Sequence, residues 1–262
     1  MRVFISKTEI EGSLREVGLI EGDVVFLHID TSIVAQIKEN RPNEGLHLIL
    51  QSLKDIIGFS GTIIVPTFSY SFCRQEKFDP NSSESHGVGH FAEFFRKLPG
   101  VVRSLDPIFS VAAHGHMARE VCDVSLDECF GPQSVFGKIH RFNAKILCLG
   151  CSLDRATFVH YCEKSHGVDY RYDKIFEGQV LMAESGPALV AIKYFVRDYS
   201  FKLTTDLTLL KKVLKEKRQL KVSSIGRVGL LATCCKDFFD AAREILDQDM
   251  RGLTKSDEDV AL

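Results

Sequence analysis

The stretch AKILCLG, residues 144–150, is nearly all apolar, and directly behind it SLDRATFVHYCEKSHG, residues 152–167, carries a helical pattern. A continuous apolar run of strand length bounded by glycine reads as a strand buried on both faces, and the pattern after it makes a strand–turn–helix unit. Ligands gather at such junctions in open α/β sheets. Working outward, DVVFLHID (23–30) reads as a second buried strand. It is followed by EGLHLILQSLKDIIG (44–58), where Leu46, Ile49, Leu50, Leu53, Ile56 and Ile57 form a helical apolar stripe. GTIIVPTFSY (61–70) gives a strand that should stop near Pro66, which lacks a ladder donor. A long polar loop over 69–89 comes next, then a short helix in HFAEFFRKLPG (90–100), a strand in FSVAAHG (109–115) and a helix in HMAREVC (116–122). The last third predicts strands in GQVLMA (178–183) and ALVAIKYFV (188–196), a helix over 206–216, a short strand over 220–223 and a closing helix over 228–247. No linker or compositional shift divides the chain, so one α/β domain over residues 1–262 is expected.

At 262 residues, 45% hydrophobic and 26% charged, the chain has ordinary globular composition, which excludes a disordered or fibrous build. With Lys plus Arg at 33 and Asp plus Glu at 35, its net charge of -2 provides no global field for nucleic acid or anionic lipid. The apolar runs are strand-sized, far short of the ~20 residues of a spanning helix, so neither nucleic acid nor membrane is an expected partner. The first residues lack the long apolar region of a secretory signal, and a cytoplasmic location is expected. The eight cysteines then read as reduced, mostly buried thiols. The composition permits a homodimer without arguing for one.

Thr157, His160 and Glu163 are spaced three apart in the helical pattern and would share one face. A carboxylate beside an imidazole orients it and raises its basicity, an arrangement suited to general-base catalysis. By spacing alone, most such pairs are surface contacts worth about 0.2–0.5 kcal/mol. Position after the central strand is what marks this one out. Cys148-x-x-Cys151 invites a zinc or redox reading, but no second pair follows and the alternation turns Cys148 toward the core, so no metal is expected. FGPQSVFGKI (130–139) places Ser134 ahead of a helical run, and IDTSIV (29–34) places Asp30, Thr31 and Ser32 after a strand. Each suits either an ordinary helix cap or a cradle for an anionic ligand.

Taken in order, GTIIVPTFSY, FDPNSSES, FAEFFRKLPGVVRSLDPIFSVAAHG, FGPQSVFGK, ATFVHYCE and GRVGLLATCCKDFFDAA resemble the aminoglycoside 3-N-acetyltransferase family. The resemblance implies a three-layer α/β/α sandwich around a central mixed sheet, unlike the common GNAT acetyltransferases. It also implies acetyl-CoA as co-substrate and direct acetyl transfer to an amine of an amino sugar or aminoglycoside. On it His160 is the catalytic base and Glu163 its supporting carboxylate. The acetyl-CoA contacts fall at His28, Asp30, Thr31, Ser32, Ser110 and Ser134, and the acceptor contacts at Tyr70, Asp79 and Thr157. Thr31, Ser32 and Ser110 are further candidates to steady the oxyanion.

Two departures stand out. The family often reads His-Ser-Ser-Leu where this chain has His28, Ile29, Asp30 and Thr31. Its antibiotic-modifying members tend to show His-Pro-Thr-His-Ser where this chain has Asp106, Pro107, Ile108, Phe109 and Ser110. The 69–89 loop mixes Glu76, Asp79 and Glu84 with Arg74 and Lys77, and VDYRYDK (168–174) sets Arg171 and Lys174 beside Asp169 and Asp173. An amino sugar carried on a nucleotide, as in surface-polysaccharide synthesis, therefore fits as an alternative acceptor. Two other readings stay open: a thiol nucleophile at Cys151 or Cys162, and a non-catalytic CoA- or zinc-binding relative.

Overall fold

Alternation along VVFLHI sends Val25 and Leu27 to one side of a strand and Phe26 and His28 to the other. In the computed structural model, which describes residues 4–38, 41, 43–182 and 186–256, these two sides become the two halves of the core. The first elements are α1 (Lys7–Glu16), β1 (Val24–Ile29), α2 (Glu44–Ile57), β2 (Thr62–Pro66), α3 (His90–Arg96), β3 (Val102–Arg103) and β4 (Val111–Gly115). Then come α4 (Ala118–Cys122), α5 (Val135–Arg141), β5 (Lys145–Leu149), α6 (Val159–His166), β6 (Arg171–Met182), β7 (Gly186–Arg197) and β8 (Leu203–Thr205). α7 (Thr208–Glu216), β9 (Lys221–Ile225), β10 (Val228–Cys234), α8 (Cys235–Gln248) and β11 (Thr254–Ser256) complete the described chain.

Seven strands form one mixed sheet in the order β3-β4-β2-β1-β5-β10-β9. β1 runs parallel to both β2 and β5, while β4 and β10 join antiparallel on either side. The apolar sides of α1, α2 and α3 cover the Val25 and Leu27 face, and every residue of the predicted α2 stripe is buried there. Residues of α4 to α8 cover the Phe26 face. This is the expected three-layer α/β/α arrangement. The sequence reading assigned nothing to α1, which opens with a capping box in which Ser6 Oγ accepts from Glu9 N and the Glu9 carboxylate accepts from Ser6 N.

Two expectations are corrected. The closing helix over 228–247 splits, because Val228–Cys234 pairs antiparallel with both β5 and β9, and helix begins only at Cys235. Leu-Leu-Ala favours helix locally, but two ladders override it. The strands predicted over 178–183 and 188–196 exist but are longer and lie outside the central sheet. β6 and β7 pair over twelve residues as a separate hairpin. Ala183 of that prediction lies outside the described residues.

Loops hold this hairpin against the body at both edges. Phe78 N donates to Gln179 O and Leu181 N to Phe78 O, while Cys129 N donates to Lys193 O and Lys193 N to Asp127 O. Gly178 allows the close pass, since a Cβ there would fall 2.7 Å from the Phe72 ring.

Candidate active site

β1 lies between its two parallel partners, with β2 to one side and β5 to the other, so the loops leaving the C-terminal ends of β1 and β5 diverge. A crevice opens at such a switch point. Here it is a cleft of about 440 Å³ lined by His28, Asp30 and Thr31 after β1, by Phe68 and Tyr70 after β2, and by Cys151, Arg155 and Thr157 after β5. Its floor is tight. Asp30 N donates to Leu149 O, and at Gly150, with φ +71°, a Cβ would stand 3.3 Å from Asp30 O.

His28 is 7% exposed and packs edge-on against Phe26 at 4.7 Å between centroids. Burial pushes its imidazole down to about 4, so it is neutral at neutral pH, and among the described residues its Nε2 has no hydrogen-bond partner. Asp30 caps a short 3-10 helix, Thr31–Gln36, its Oδ1 accepting from Ser32 N at 2.8 Å. That bond holds the carboxyl below its ordinary value. The Tyr70 hydroxyl is pushed up to about 12 by burial and stays protonated. Cys151 Sγ donates to His28 O at 3.5 Å, and all eight thiols are free.

His160 opens onto a second cleft, of about 500 Å³, beneath the hairpin. It lies one turn from Glu163 on α6, and its Nδ1 is 2.6 Å from Glu163 Oε2. Glu163 is fully buried. Tyr170 OH donates to its Oε1 at 3.0 Å, and Arg171 Nε lies 2.7 Å from Oε2. Burial alone would raise this carboxyl, but His160, Arg171 and Tyr170 together hold it below the usual range, so it is ionised. An ionised acceptor takes a proton at Nδ1, which leaves the lone pair on Nε2. Burial, with Arg171 behind it, keeps the imidazole below its ordinary value despite Glu163, so a neutral base is available at pH 7.

Of the residues singled out in the sequence, His28, Asp30, Thr31, Tyr70 and Thr157 come together in the first cleft, and His160, backed by buried Glu163, lines the second. Thr157 is not on α6, which starts at Val159, because Thr157 O accepts from His160 N in the turn before it. Exposed Ser32 follows Thr31, with its amide held by Asp30, and does not line the first cleft. Three residues lie apart. Ser110 is fully buried and donates to Thr67 O, and Ser134 caps α5 and donates to Gly131 O. Asp79 accepts from Ser82 Oγ and Asn81 N within its own turn.

Sequence reasoning missed Tyr170 and Arg171, which fix Glu163, and Tyr194, which lines the second cleft. No periodic signal marked them: Tyr170 precedes β6, Arg171 opens it and Tyr194 lies on β7. Among the described residues no group of three His, Cys, Asp or Glu side chains could hold a metal ion, and no helix is long and apolar enough to cross a membrane.

Residues 27–247 match the family model described as aminoglycoside 3-N-acetyltransferase. The chain belongs to this family. It is accordingly an acetyltransferase. Aminoglycoside N(3)-acetyltransferase VII of Streptomyces paromomycinus is 26% identical over 268 residues, covering 93% of this chain and 89% of that protein. The crystal structure of aminoglycoside acetyltransferase AAC(3)-Xa shares the fold with a TM-score of 0.81 over 95% of this chain and 94% of its own, at 20% identity. AAC-IIIb in a binary complex with CoASH does so with a TM-score of 0.78 over 94% and 97%, at 22% identity.

Proposed function

We propose that the protein transfers the acetyl group of acetyl-CoA directly to an amine of an amino sugar, with His160 as general base. The observation that carries this reading is the 2.6 Å contact of His160 with a buried, ionised Glu163 at the mouth of a cleft. An ammonium has no lone pair, so His160 Nε2 first takes its proton, and Glu163 stabilises the imidazolium that results. The freed nitrogen attacks the thioester carbon, forming C–N. The nitrogen of the tetrahedral adduct gives up a second proton to solvent as the C–S bond breaks, and the departing thiolate takes the proton from His160. The first cleft is the donor site in this scheme: it sits at the switch point, and a family relative of the same fold binds CoASH. Neutral His28, with its unpartnered Nε2, lies there beside Thr31, and both are candidate contacts for the acyl end. The acceptors named for the relatives are aminoglycosides, and this chain is read as taking an amine of the wider amino-sugar class. A reducing cytoplasm, where eight free thiols persist, is the matching location.

The test follows free thiol and product mass with acetyl-CoA and a panel of amino sugars. Acceptor-dependent thiol release with one acetyl gained on an amine supports the reading. His160→Ala should lose about 10²- to 10⁴-fold in kcat while still binding CoA. A trapped acetyl-enzyme, or loss of turnover in Cys151→Ser comparable to that in His160→Ala, would replace direct transfer with a thiol nucleophile.

A further inference from the structure

We infer that the acceptor amine is part of an anionic molecule, an amino sugar bearing a phosphate, and not a polycation. The inference rests on acetyl transfer at His160 and names what the cleft beneath the hairpin holds. Alternation puts Tyr172, Lys174, Phe176, Tyr194 and Val196 on the hairpin face that looks into this cleft. Arg171 and Arg197 flank them at the open end of the hairpin, with Thr204 and Thr205 beyond. Among the described residues that line the cleft there is no carboxylate.

Glu163 lies beneath the floor, bound to His160 and Arg171. The other acids nearby are engaged elsewhere: Asp173 pairs with Lys164 on the opposite face, Asp198 accepts from Ser200, and Asp206 accepts from Thr208 N. Two of the three loop acids that could meet a polycation are turned to local use, and Glu84 stays exposed. Glu76 is held by Arg74 at 2.6 Å, and Asp79 caps its own turn.

A cleft of this kind repels several ammonium groups and attracts phosphate oxygens, which Lys, Arg and Thr bind by charge-assisted hydrogen bonds. Its aromatic faces suit the apolar side of a sugar ring or a nucleobase. A volume of about 500 Å³ accommodates a sugar and its phosphate.

The experiment compares four probes, glucosamine, glucosamine 1-phosphate, UDP-glucosamine and kanamycin, by calorimetric binding to the CoA-loaded wild type and by turnover with acetyl-CoA. Binding of at least one phosphate-bearing probe on the order of tenfold tighter than glucosamine or kanamycin is expected, and Lys174→Glu should erase or reverse that ratio. The two phosphate-bearing probes separate a bare sugar phosphate from a nucleotide-linked sugar. Kanamycin or glucosamine binding as tightly as both phosphorylated probes overturns the inference. So does an unchanged ratio in Lys174→Glu, an exposed position on the cleft face. Selective binding without acetyl transfer supports the anionic site and removes only the catalytic reading. Turnover of kanamycin without any phosphate preference does the reverse.

Discussion

His160 and Glu163 set opposite requirements on pH. The base works only when neutral, and its imidazole sits below the ordinary 6.5, so kcat/KM should hold as pH falls through 6.5 and drop only at lower pH. A pH–rate profile checks this. In Glu163→Gln the positive field of Arg171 is unopposed, so the acid limb should move lower still while kcat falls by about 10²-fold. Stability follows the carboxyl. Because Glu163 is depressed below 4.5 in the folded state, its contribution is complete above 4.5 and is lost as pH falls through its folded-state value. Urea midpoints should therefore show Glu163→Gln less stable than wild type by about 3 kcal/mol at pH 7, with the gap closing in acid. This pair was legible from its three-residue spacing. Tyr170 and Arg171 were not, because contact across a helix–strand junction leaves no periodic mark in either element.

The hairpin and the 69–89 loop are placed by backbone groups that no side-chain pattern reveals. Arg103 shows the principle. Its guanidinium lies half under the loop, donating to Thr67 O at 2.7 Å and to Ser83 O and Pro80 O, with Phe78 stacked 5.2 Å from its carbon. Burial lowers it to about 10, which leaves it charged at neutral pH. Arg103→Met would strand these carbonyls, so a loss of about 1–3 kcal/mol is expected. Hydrogen exchange should then speed up over residues 69–89, and CoA should bind more weakly, since Tyr70 and Gly89 line its proposed cleft. The sequence marked this segment as a long polar loop. The reason it is ordered lies in one arginine fourteen residues beyond its end.

For the whole molecule, alternating strands and helices were readable from periodicity, but the order β3-β4-β2-β1-β5-β10-β9 was not, because strand pairing is decided between segments far apart in the chain. The core ties these pieces together around Phe136. Fully buried on α5, it meets Phe26 of β1 and the loop residues Phe68, Phe109 and Phe130 at 4.9–6.4 Å between centroids. Phe136→Ala should cost about 3–5 kcal/mol, seen as a lower urea midpoint at an unchanged slope. The hairpin lies outside the sheet but packs Val180, Ile192 and Tyr194 against that core, while Tyr172 and Lys174 stand exposed on its cleft side. Mutations at positions 172 and 174 can accordingly accumulate in a lineage without unsettling the sheet. Descendants of such a scaffold can exchange one acceptor for another while inheriting the same donor and the same base.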